Sequence, residues 1–275
     1  MIKKQKTVAN LSIIILILLI FASAGGLYLD NLYRDNDFLK IVWESTDLLV
    51  LFLIVPIFII SLYFIKKSAS IRAYLILLGL LDFTLYNYGY YLFAVSFNWF
   101  FLLYVALYVL SAITIIIALL NLDSKLIAQR FRTKIPTKLI AGFMIFVSIS
   151  LTIVYSVMTF GFIFSGNLPV IIERTGHPTN IVFAMDLSLV VPVYAIAGIW
   201  LWKRKPWGYV LSTISLVKGA LYNLVLSFVT LQIADNGFPE SINELPLWLF
   251  FTIASFIGGL FLLINLNRTD KNKRI

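Results

Sequence analysis

No cysteine occurs anywhere in the 275 residues. That absence removes disulfide scaffolding, thiolate zinc sites, cysteine-ligated iron–sulfur clusters and thiol nucleophiles together. The single histidine, His177, leaves little room for haem or dinuclear metal chemistry. Charge is scarce too: 13% of residues are Asp, Glu, Lys or Arg, against roughly 25% in soluble domains. Neither a GxGxxG, Walker, HExxH nor GxSxG pattern is present, so nucleotide, zincin and hydrolase-elbow chemistry lack a motif. No cofactor and no metal are expected.

Apolar residues fill the space that charge leaves, at 61% of the chain and a mean hydropathy of +0.95, which excludes a soluble domain. Eight runs, at residues 8–27, 46–65, 73–94, 99–120, 139–160, 181–202, 209–231 and 246–266, have the roughly twenty residues that a ~30 Å hydrocarbon core requires. The expected fold is an all-α integral membrane helical bundle of eight transmembrane helices. Lys3, Lys4 and Lys6 before the first run, and Ala22-Ser23-Ala24 within it, resemble a signal peptide and its cleavage site. The length of the run and the spans that follow favour an uncleaved first helix.

A net charge of +9 suggests nucleic acid in a soluble protein, but here its distribution reads as topology, and no nucleic-acid partner is expected. Eighteen of the twenty-two Lys and Arg fall in the N-terminus, Lys66 to Arg72, Lys125 to Lys138, Lys203 to Lys205 and the tail Arg268 to Arg274. The other side has Arg34, Lys40 and Arg174 beside nine acidic residues. Because cytoplasmic loops retain Lys and Arg, both termini are expected in the cytoplasm, with the chain in the cytoplasmic membrane of a prokaryote. The basic loops would meet anionic lipid of the bilayer. All six tryptophans fall at expected interfaces, Trp43, Trp99 and Trp248 outside, Trp200, Trp202 and Trp207 inside. The two longest outer loops, 28–45 and 161–180, mix apolar and charged residues as interfacial helices do. Asp47 follows Ser45-Thr46 at the expected start of the second helix and reads as a cap, and His177 belongs to an outer turn capping the sixth.

A shift of 136 residues aligns Leu53-Ile54-Val55-Pro56 with Leu189-Val190-Val191-Pro192, and Leu85-Tyr86-Asn87 with Leu221-Tyr222-Asn223. The chain then divides into two four-helix units, 1–135 and 136–275. Since each unit has an even number of spans, the two repeats are parallel, related by an axis along the membrane normal. Pro56 and Pro192 would perturb the second and sixth helices alike, as a packing kink or as a hinge.

The same shift puts Lys218 on Asp82. Each lies about ten residues, or ~15 Å, from its cytoplasmic helix end. A lone charge there costs from ~3 kcal/mol to well above 10, so each needs a partner, a wet cavity or neutralisation. Asp186 is a competing partner for Lys218. Helical spacing adds Tyr86, Gly89 and Tyr90 beside Asp82, Ser215 and Tyr222 beside Lys218, Ser148, Thr152, Tyr155 and Thr159 on the fifth helix, and Tyr104, Tyr108 and Ser111 on the fourth. Asp82, Lys218, Asp186, Tyr86, Tyr222, Asn87 and Asn223 are the candidate ligand or ion-pair residues. Such seams also serve helix packing through interhelical hydrogen bonds.

Residues 85–106, and Pro178-Thr-Asn through Asp186, Pro192 and Trp202-Lys-Arg-Lys-Pro-Trp-Gly-Tyr209 to Lys218-Gly219, resemble a group of prokaryotic polytopic membrane proteins with no assigned activity. The four-helix unit is similar, in topology alone, to DoxX-like membrane proteins. The resemblance implies a multi-pass membrane protein and carries over no activity. Three functions remain open: a small-solute or ion transporter or channel-like protein centred on Asp82 and Lys218, a non-catalytic scaffold or accessory subunit whose polar seam only packs helices, and an enzyme acting on a lipid.

Overall fold

Long apolar runs cannot leave their amides without partners in lipid, and the helix satisfies them within the segment. The computed structural model describes Ile2 and residues 4–267, so Lys3 and the basic tail Arg268 to Arg274 lie outside the described residues. In chain order the helices are α1 (Gln5–Tyr28), α2 (Asp37–Ser68), α3 (Ile71–Ala94), α4 (Phe101–Leu120), a short α5 (Ser124–Ala128), α6 (Thr137–Ser165), a short α7 (Val170–Thr175), α8 (Ile181–Trp202), α9 (Pro206–Asp235) and α10 (Leu245–Ile264). A 3-10 turn, Pro239–Glu244, leads into α10. No strand occurs among the described residues; two isolated bridges, Ile2 with Leu122 and Phe131 with Leu266, tie residues near either end of the chain to the segment around α5.

Seven helices, α1, α2, α4, α6, α8, α9 and α10, are long and apolar enough to cross a membrane. The protein is a multi-pass helical membrane protein. Helix α3 has 24 residues but is not among the seven, because Asp82, Asn87 and its tyrosines dilute its apolar content. Its position explains the composition. Most of its residues are buried, with Tyr74, Leu75, Leu78, Leu81, Phe83 and Tyr88 fully inaccessible, so α3 has little surface to offer lipid. The peripheral helices do the opposite: Leu102, Ile113 and Ile116 on α4, Phe146, Ile153 and Phe164 on α6, and Phe250, Ile253 and Phe256 on α10 are exposed. Apolar surface this continuous marks contact with lipid or protein.

Helices α1 to α4 pack consecutively, and α1 also packs on α4. In the second half α6 packs on α8, α8 on α9 and α9 on α10. The halves meet where α3 lies against α9; α3 also touches the start of α8, and α9 the start of α2. Two end faces are defined by loop contacts. On the acidic one, the Asn36 amide donates to the Arg174 and Thr175 carbonyls at 3.1 and 3.3 Å, Arg174 pairs with Glu240 at 2.8 Å, and Phe38 meets Phe238 edge-on at 5.3 Å. On the basic one, Arg72 donates to the Leu266 carbonyl, Arg204 to that of Thr133 at 3.2 Å, and Phe131 stacks on Tyr209 at 4.8 Å.

The second helix begins nine residues earlier than its apolar run. Asn36, not Asp47, is its cap, accepting from the Leu39 amide at 2.9 Å, with Asp37 in the first turn as the helix dipole favours. Residues 37–45 therefore belong to α2 and not to a separate interfacial helix. Trp43 is fully buried, packed on Tyr90 and Tyr91 at 4.9 and 5.0 Å, rather than placed at an interface. In the other long loop, α6 continues to Ser165 before the short α7.

Both helices with an internal proline carry a π turn just before it, Val50–Ile54 ahead of Pro56 and Asp186–Val190 ahead of Pro192. The two turns are 136 residues apart. Proline lacks an N–H, and its ring strikes the carbonyl four residues back. Those carbonyls, of Phe52 and Ser188, lie inside the wider turns, and the amides of Val55 and Val191 reach back five residues to Val50 and Asp186.

Candidate functional site

The site is built on the seam between α3 and α9. A glycine lets the helices approach: a Cβ on Gly79 would lie 2.5 Å from Val217 Cγ1 and 3.1 Å from the Ile214 carbonyl oxygen. Further along, Tyr86 and Tyr222 meet edge-to-face with ring centroids 4.7 Å apart. These residues correspond under the 136-residue shift, and such partners touch when related units pack about a two-fold axis. One turn back along each helix lie Asp82 and Lys218, both near the middle of their helices.

Lys218 is 6% exposed, and its ammonium sits 3.8 Å from the centre of the Tyr86 ring and 4.9 Å from that of Tyr222. Aromatic faces attract a cation, by about 2 kcal/mol or more when water is excluded, but they leave its N–H donors unfilled. Asp82 and Lys218 make no ion pair among the described residues. Instead both line one cavity of about 140 Å³, with Tyr86, Tyr194 and Ser215 beside them and Leu189 and Val193 at its edge. Tyr194 is fixed by donating to the Ser215 carbonyl at 3.0 Å. Leu189 and Val193 are 39% and 40% exposed, so the cavity is a crevice reached from the flank of α8.

Asp186 enters through Tyr86. Its two carboxylate oxygens accept from the Tyr86 and Tyr155 hydroxyls, each at 2.6 Å. Tyr86 thus presents its ring to Lys218 and its hydroxyl to Asp186, linking α3 and α6 to the π turn of α8. Asp186 does not pair with Lys218 directly. Of the other candidates, Asn223 bonds back to the Gly219 carbonyl at 2.7 Å, whereas Asn87 is buried with its amide nitrogen unpartnered among the described residues. Ser148 donates to the Val191 carbonyl at 3.0 Å. Thr152 and Thr159 face outward and bond within their own helix, so the fifth-helix seam shortens to Ser148 and Tyr155. The turn that holds His177 caps α8 through Asn180, whose side-chain oxygen accepts from the Phe183 amide at 3.0 Å; the His177 Nε2 lies 2.9 Å from the Ala94 carbonyl oxygen at the end of α3.

A second carboxylate site was not visible in the sequence. Asp47 is completely buried, with the Tyr33 hydroxyl donating to one oxygen and the Tyr91 hydroxyl to the other at 3.2 Å. Tyr91 also bonds the Trp43 carbonyl at 3.0 Å, and Gly26 of α1 abuts the carboxylate so closely that any Cβ there would overlap it. Burial first, and then the Asp47 carboxylate, push the Tyr33 phenol well above its ordinary value. Asp186 opens the π turn of α8, whereas Asp47 lies three residues before that of α2; both are clamped by two tyrosines, one of them from α3.

No protein-family model matches the chain, and no curated protein or solved structure matches it. Among the described residues no group of three or more His, Cys, Asp or Glu could hold a metal ion.

Proposed function

We propose that this protein is a transporter or channel-like protein for a small solute or ion, with its binding site at the crevice between α3, α8 and α9. The observation that carries the reading is the state of Asp82 and Lys218. Two opposite charges that deep in apolar segments are costly unless compensated, and contact between them would compensate both, yet each faces a shared cavity instead. Side chains that only pack helices have no need of such a space.

The proposal includes the architecture around the site. Helix α3 is the eighth span, shielded from lipid by its neighbours, and the chain is two parallel four-helix repeats. The matched π turns, the Tyr86–Tyr222 contact and the reciprocal packing of α3 on α8 and α9 on α2 support it. The basic end faces the cytoplasm with both termini there, in the membrane of a prokaryote, within the polytopic group that the sequence resembles. Exposed Lys66, Lys67, Lys125, Lys134 and Lys203 at that end are placed to meet anionic lipid.

Uptake of labelled small solutes into proteoliposomes tests the reading. Asp82→Asn and Lys218→Met are expected to leave the folded yield near that of the unsubstituted protein and to abolish uptake. If instead each single change lowers the folded yield and exchanging the two residues restores it, the pair is a packing device and the transport reading fails. A structure in lipid with the crevice filled by side chains would sink it as well.

A further inference from the structure

The two charged groups on the crevice walls differ in sign and do not meet. Lys218 is all but inaccessible, its ammonium lies over two aromatic faces, and it donates no hydrogen bond among the described residues, so its three N–H donors are open. Asp82 accepts no hydrogen bond among the described residues, although tyrosine hydroxyls clamp the other buried carboxylates, Asp47 and Asp186. A cationic ligand would satisfy Asp82 and leave the ammonium uncompensated; an anionic ligand would do the reverse. Leaving one charge of a buried pair unmatched is the costly arrangement. A ligand carrying both signs removes both costs at once.

Resting on the solute-site reading above, we infer that the crevice binds a small zwitterion, whose ammonium is taken by Asp82 and whose anionic oxyacid group is taken by Lys218. The space is about 140 Å³, the share of roughly five waters at ~30 Å³ each, which admits a molecule of a few heavy atoms. Leu85, Leu189, Val190 and Val193 supply an apolar wall suited to a short aliphatic substituent, while Ser215 and Tyr194 border the charged end. A small α-amino acid has this chemistry. So does the phosphoethanolamine headgroup of a lipid, which could come through the open flank at Leu189 and Val193.

Binding to the full-length protein in phosphatidylglycerol nanodiscs separates these cases, with alanine, propionate and ethylamine offered at equal concentration and phosphatidylethanolamine added in a parallel preparation. Alanine is expected to bind and raise the unfolding temperature, while propionate and ethylamine do not. Asp82→Asn and Lys218→Gln should each weaken alanine by at least about 30-fold, the size expected when one partner of a buried charge pair is removed. Propionate or ethylamine binding as tightly as alanine overturns the zwitterion and leaves the solute site standing. Stabilisation by phosphatidylethanolamine alone keeps the zwitterion chemistry, and it is then the solute-transport reading that fails. No response to any of the four by folded protein overturns the inference, whereas proteoliposome uptake of another solute would still uphold the transport reading.

Discussion

At the scale of single residues, Asp47 shows how a local sequence pattern and a tertiary site can compete for one side chain. Ser45-Thr46-Asp47 before an apolar run has the composition of a helix start, and Asn36-Asp37, the real start, has it as well. The apolar run itself begins at Thr46, beside the wrong one, and the two tyrosines that hold Asp47 come from a loop and from α3, beyond the reach of helical spacing. Asp47→Ala is expected to cost about 2–5 kcal/mol, since it opens a cavity and strips two buried hydroxyls of their acceptor. Tyr33→Phe removes one donor and should cost about 1–3 kcal/mol. Thermal unfolding in detergent measures both; an Asp47→Ala protein melting within about 1 °C of the unsubstituted one would contradict the clamp. By contrast, the mid-helix positions of Asp82 and Lys218 were legible from run lengths and the 136-residue shift. That they line a cavity instead of pairing was not, because side-chain direction is decided by the tyrosine faces around Lys218.

At the scale of elements, the order of the seven long apolar helices was readable because lipid demands such helices, and the errors fall where a helix continues past its apolar stretch, as α2 does over Asp37 to Ser45 and α6 does to Ser165. The prolines announced a perturbation, and the structure resolves it as a π turn. Helix α3 is legible in a different way: its tyrosines, Asp82 and Asn87 make it a poor lipid-facing helix and a suitable central one. Its approach to α9 depends on Gly79. Gly79→Ala should destabilise by about 1–3 kcal/mol through overpacking against Val217, and Val217→Ala in the same protein should recover part of that loss. The two single variants and the double variant form a cycle that isolates the contact. A neutral Gly79→Ala would show that the two helices have slack at this point.

Across the whole molecule, each end is tied between halves by different chemistry. On the acidic end Arg174 is the hub, paired with Glu240 and lying over Phe38 and Phe238 at 5.4 and 5.9 Å. Arg174→Ala should lower stability by about 1–2 kcal/mol, the sum of a partly exposed ion pair and cation–π contacts. Arg174→Lys should recover little of it, because lysine cannot present the planar fork. An unchanged melting temperature in both would make this contact incidental. The seam between the halves has a further consequence. Across the α3–α9 contact, two copies of the first half would set aspartate against aspartate, and two copies of the second would set lysine against lysine. Only one of each gives opposite charges. In the proposed pair of related units, the divergence of that one position therefore also governs stoichiometry, favouring the mixed pair over either like pair.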